Sequence, residues 1–254
     1  MTKKSVKKIV VWSLVAIILF LFGLTAWEFT LDDTKGAEGA LKIAVRTFFY
    51  KAALVVPPKS TPAVNLAVPY HHQQHNLSCE VASLFMALKY REVNVTEDEL
   101  IAQLPTSDPG PRNTGNIWGD PELGFVGNIN GSMPNTGYGV YEQPIDNLAL
   151  QYRPAKIIAS GTVASLVAEL ANGNPVVVWG VIGRGRDISW QTSAGLAIDA
   201  RMDEHARTLI GFTGTSDNPQ LMILLDPIFG EIRMSIADFS SNWAKMNNRA
   251  VVVY

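Results

Sequence analysis

At 254 residues and a formal net charge of −2, the chain has no basic face suited to nucleic acid and no block of like charge that would serve as an interaction tail. Its length suits one domain of moderate size with appendages. A single cysteine excludes an intrachain disulfide framework, so that thiol is either a small buried hydrophobe or a nucleophile.

Residues 1–8 form a basic tail with Lys3, Lys4, Lys7 and Lys8, and an uncharged run follows from Ile9 to Trp27. That run is close to the ~20 residues that cross hydrocarbon as a helix. It reads as a transmembrane signal anchor over 9–27, with the lysines cytoplasmic and the rest extracytoplasmic, which makes a single-pass protein of the cell membrane. A cleaved signal peptide followed by secretion is the competing reading. Such peptides usually have an apolar core of ~7 to 15 residues and a small-x-small site, which Thr25-Ala26-Trp27 fits poorly. Residues 28–65 read as a helical stalk and linker: Ala40, Ile43, Ala44, Phe48, Ala52 and Leu54 give an amphipathic pattern, and Pro57-Pro58-Lys59-Ser60-Thr61-Pro62 ends it.

The domain proper spans 66–254. After the short extended piece Val68-Pro69-Tyr70, Ser78 is placed to cap a helix through Tyr90, with Val81, Leu84, Phe85 and Leu88 on one face. Thr96-Glu97-Asp98-Glu99 is a capping box for a second helix through Leu104, expected to lie beside the first. From Pro105 to about Gln143 no period is visible, and so long an irregular stretch is usually functional or mobile. Pro144 opens a short helix through Tyr152, and Thr162 caps another through Leu170 that Gly173 stops. Strands then follow over Pro175–Val181, Ala206–Thr213, Leu221–Leu225, Glu231–Ile236 and Ala250–Tyr254, joined in part by the turn-rich segment 214–219. Helices followed by an antiparallel meander give an α+β class.

A thiol at its ordinary pKa is mostly protonated near neutrality, and a helix start plus a neighbouring imidazolium lower that value. Cys79 stands at a helix start. Of the four histidines, His71, His72 and His75 lie just upstream, and only His205 is remote in sequence. A hairpin through 214–219 sets His205 opposite Asp226 within a few positions of register, where the carboxylate would orient the imidazole. The Cys79 amide and a side-chain amide from Gln73 or Gln74 are candidate oxyanion donors. His71 and His75 have a spacing used by metal ligands, but they precede the helix and no third ligand is evident, so solvated loop histidines are the simpler reading. Trp118 reads as packing, or as a wall of a substrate groove.

The segments Val68-Pro69-Tyr70-x-x-Gln73, Cys79 with Ala82-Ser83-Leu84-x-Met86-x-Leu88, Trp118-Gly119-Asp120-Pro121-x-x-Gly124-Phe125-Val126-Gly127, His205-Ala206 and Leu225-Asp226-Pro227 together resemble the double-glycine cysteine peptidases of bacteriocin exporters. They are most similar to the stand-alone relatives, the peptidase-C-thirty-nine-like domains of the papain-like superfamily. The resemblance covers about 66–254 and implies a papain-like fold and thiol peptidase activity without a cofactor. In it Cys79 is the nucleophile, His205 the base, Asp226 its orienting partner and Gln73, six positions before the cysteine, the oxyanion donor. One departure stands out: relatives usually follow the cysteine with glycine, whereas Glu80 here sets a carboxylate beside the thiol and opposes its ionisation. The expected partners are a peptide or protein substrate and, through residues 9–27, the membrane. The alternative function is a catalytically silent module that binds peptide or cell wall.

Overall fold

The structure is a computed structural model that describes residues 62–158 and 160–254. The basic tail, the signal anchor and nearly all of the stalk lie outside the described residues. Among the described residues, no helix is long and apolar enough to cross a membrane.

The chain enters along β1 (Pro62–Asn65) and reaches α1 (Cys79–Tyr90), then α2 (Glu97–Gln103). Ser78 occupies the cap position of α1, but its hydroxyl leaves the helix end and donates to Glu97 Oε1 at 2.5 Å. The box on α2 forms as the residue types dictate: Glu99 N–H donates to Thr96 Oγ1 at 3.2 Å and Thr96 N–H to Glu99 Oε2 at 2.7 Å. Nine of the twelve α1 residues are buried, including Glu80 and Ser83, so this helix is central rather than amphipathic.

Between α2 and α3 (Glu142–Ala149) the chain is irregular apart from the short parallel pair β2 (Thr106–Asp108) and β3 (Phe125–Val126). Pro144 is the third residue of α3, where its missing N–H is still harmless. Then come β4 (Ala155–Ile157), α4 (Val163–Ala171) with a Thr162/Ser165 capping box, β5 (Val176–Val181), β6 (Asp187–Gln191) and β7 (Ala197–Arg201). The chain finishes with β8 (Glu204–Gly214), β9 (Pro219–Asp226), β10 (Gly230–Ser235), α5 (Ile236–Ala244) and β11 (Ala250–Val253).

The main sheet has seven strands in the order β10-β9-β8-β5-β11-β4, with β1 added along the far half of β8. Every pairing in it is antiparallel. Gly211 admits β1, since a Cβ there would fall 2.1 Å from the Val64 carbonyl oxygen. Alternation in β5 explains why both faces are covered: Val177, Trp179 and Val181 pack with Val81, Leu84 and Leu88 of α1, while Val176 and Val178 pack with Leu166 and Leu170 of α4 and Phe239 and Trp243 of α5. The α+β class with an antiparallel sheet stands. The strand expected to run through Ile236 stops at Ser235, whose hydroxyl accepts from Asp238 N–H at 3.1 Å and starts α5 instead.

Candidate active site

Strand β8 lies along α1, and successive residues of β8 serve different neighbours. Thr208 Oγ1 donates to Ser83 O at 2.8 Å, and Ala206 N–H donates to Cys79 Sγ at 3.5 Å, so the sulfur rests on the peptide joining His205 to Ala206. His205 itself meets β9: its Nε2 lies 3.0 Å from Asp226 Oδ2. Asp226 is locked in place. Arg207 Nε donates to Oδ2 at 2.8 Å, and the Ile228 and Phe229 N–H groups donate to Oδ1 at 2.9 and 3.1 Å. The ladder pairs Thr208 with Leu225, which sets Asp226 beside Arg207 and within reach of His205, inside the few-residue register tolerance read from the sequence.

The Peptidase_C39 like family model matches residues 65–251. The chain belongs to that family. It is 32% identical over 183 residues to the uncharacterised protein YvpB of Bacillus subtilis, covering 69% of this chain and 68% of YvpB. It also superposes on a crystal structure described as a C39-like peptidase from Bacillus anthracis with a TM-score of 0.64 and 27% identity, covering 75% of this chain and 96% of that one. Membership in the Peptidase_C39 like family makes the described domain peptidase-like in fold and lineage.

Within this family fold, the thiol sits in an acidic pocket that sequence reasoning only half foresaw. Cys79 is 4% exposed, and its S–H donates to Glu80 Oε2 at 3.2 Å. Glu80 Oε1 accepts from Val140 N–H at 2.7 Å. Glu204, one residue before His205, is buried against the same group, with ligand atoms of Cys79, Glu80 and Glu204 all within 4.8 Å of one another. Burial first, then Glu80 and Glu204, push the Cys79 thiol well above its ordinary value. Burial raises Glu80 to about 7, and burial plus Glu80 raises Glu204 well above the carboxylate range. Burial also lowers His205, against the pull of Asp226. Burial would raise Asp226 too, but the facing His205, Arg207 and the Ile228 N–H hold it below its ordinary value. Burial thus favours the neutral thiol and the neutral imidazole, while Asp226 is held toward its charged form.

Gln73 is 9% exposed, and its Nε2 donates to the His75 and Asn76 carbonyls at 2.8 and 3.0 Å. Both amide hydrogens thus shape the loop before α1, and an oxyanion role requires releasing one of them. That loop is also fastened to α2. Glu97 is 1% exposed, receives Ser78 Oγ and the Gln74 N–H, and lies 2.6 Å from His71 Nε2, while His75 Nε2 lies 2.8 Å from Asp98. His71 and His75 therefore answer to separate carboxylates of α2 and share no metal-like cluster among the described residues. Trp118 is buried and packs edge-on to Trp190, with its indole N–H on Gly110 O, so it is a packing residue. Glu204 was missed because its signal is three-dimensional: nothing in Asp203-Glu204-His205 announces that the carboxyl faces the start of α1.

Proposed function

We propose that this chain is a papain-like cysteine peptidase in which Cys79 attacks a peptide carbonyl and His205, oriented by Asp226, serves the proton transfers that expel the amine. The supporting observation is the continuity of the three groups: the amide after His205 donates to the Cys79 sulfur, and the His205 ring lies 3.0 Å from a carboxylate fixed by three donors. The Cys79 N–H at the start of α1 would serve as an oxyanion donor, with Gln73 as the second after a shift of its side chain. In this reading, residues 9–27 anchor the chain with its catalytic domain outside the cytoplasm. Resistance of the full chain to alkaline extraction from membranes is expected, and quantitative release would remove the anchor.

The test incubates the full chain with a diverse peptide pool and reads new N-termini by mass spectrometry. Cleavage by the native chain is expected, with losses on the order of a hundredfold or more in Cys79→Ala and His205→Ala. Equal cleavage by these variants would reject the assignment.

One observation favours a second reading, a binding module without catalysis: the thiol is enclosed and faces two carboxyl groups that oppose its ionisation. That reading expects Cys79→Ala to retain ligand binding and every biological readout of the native chain.

A further inference from the structure

Glu204 is a buried carboxyl whose two oxygens meet no hydrogen-bond donor among the described residues. A bare carboxylate in that position is untenable without a countercharge or a proton, and Glu80 is the acceptor at hand. Gly139 makes the approach possible. A Cβ there would fall 2.5 Å from Glu80 Oε1 and 2.6 Å from Glu204 Oε2, so any side chain at 139 would wedge into the two acids. Glu80 in turn has one oxygen committed to the Val140 N–H and the other to the Cys79 thiol. Among the described residues, the hydrogen-bond partners of the sulfur are Glu80 and the Ala206 N–H, and the His205 ring is not among them.

We propose that Cys79, Glu80 and Glu204 hold two protons and one negative charge between them, and that Glu80 is the base that takes the thiol proton when the thiolate forms. This rests on the thiol-peptidase reading of the same site. In the step, the S–H bond breaks and an O–H bond forms on Glu80 Oε2. The electron pair stays on sulfur, and the cluster keeps its single charge, now facing the Ala206 N–H and the start of α1. Glu204 keeps its proton throughout and turns it toward whichever neighbour carries the charge. The other charged or titratable groups acting on the cluster are Arg207 of β8 and Arg249 before β11, both of which favour an anion, and the hydrogen-bonded Tyr138 and Tyr141 from the segment before α3. The burial-raised Glu80, at about 7, is suited to exchange a proton with a thiol near neutral pH.

The experiment measures the rate of Cys79 alkylation by iodoacetamide against pH in the full chain, with circular dichroism to confirm folding of each variant. Glu80→Gln is expected to slow alkylation at neutral pH on the order of a hundredfold and move the midpoint upward. Glu204→Gln is expected to fold and shift the midpoint while keeping the Glu80-dependent limb, and His205→Gln to keep that limb as well. A Glu80→Gln chain that reacts as fast as the native chain or faster overturns the proposal, since Glu80 would then act only as a repelling charge. An unmoved midpoint in Glu204→Gln overturns the shared protons, and loss of the limb in His205→Gln alone returns the role of base to His205. If the alkylation profile follows these expectations while the native chain cleaves no peptide, the peptidase reading fails and this one stands.

Discussion

Asp226 gathers two cationic or ionisable side chains and two backbone donors at the end of β9, and its burial makes each of them count. Asp226→Asn would remove the carboxylate charge that the buried Arg207 guanidinium and His205 ring face, at a cost of about 3–5 kcal/mol in chemical denaturation. Because its folded pKa is depressed, Asp226 contributes stability that is present above the ordinary carboxylate range and lost as pH falls through the depressed value. Glu80 has the opposite sign. With its folded value raised from 4.5 to about 7, its contribution is present below 4.5 and disappears as pH rises through about 7. Glu80→Gln is therefore expected to raise the melting temperature above pH 7 and to change it little near pH 4, whereas a lowered melting temperature at the higher pH would show that the carboxylate is stabilising. Glu97 is a third buried acid with a structural task. Glu97→Ala unties His71, Gln74 and Ser78 together, with an expected loss of about 3 kcal/mol and slower Cys79 alkylation through disorder of the approach to α1.

At the scale of elements, the hairpin of β6 and β7 carries the burden of ordering the irregular 105–141 stretch. Trp190 of β6 donates its indole N–H to Gly119 O at 2.6 Å and packs edge-on against Trp118 and Tyr138. Trp190→Ala is expected to cost about 3–5 kcal/mol and to raise hydrogen exchange across 105–141 more than in α4 or α5, and a uniform rise would show that the hairpin has no special hold on the loop. This hairpin was not legible in the sequence, because Asp187-Ile188-Ser189-Trp190-Gln191 alternates over too few residues and arginine, glycine and threonine surround it. Helix α5 was hidden for a similar reason: Ile236 continues the apolar alternation of β10, and only the Ser235 hydroxyl marks the switch in period. The helices with Thr caps were legible because a capping box is a local signal.

Across the whole domain, a sheet covered on both faces delivers residues far apart in sequence to the start of one helix. His205 and Asp226 could be paired from the chain because a hairpin is local, and Cys79 could be placed by its helix start. The contact between Glu204 and Glu80 could not, since it depends on β8 lying along α1 across a sequence separation of 124. The carboxylate beside the thiol was visible in the sequence as a departure from the usual glycine, but its buried neighbour Glu204 was not.

Reaction of the full native chain with a panel of peptidyl vinyl sulfones, followed by intact-mass and peptide mapping, tests the nucleophile most directly. A single adduct on Cys79 is expected, absent in Cys79→Ala and abolished by prior unfolding. A native chain that forms no adduct, while its unfolded form alkylates at Cys79 as readily as free cysteine, would contradict the assignment of this thiol as a peptidase nucleophile.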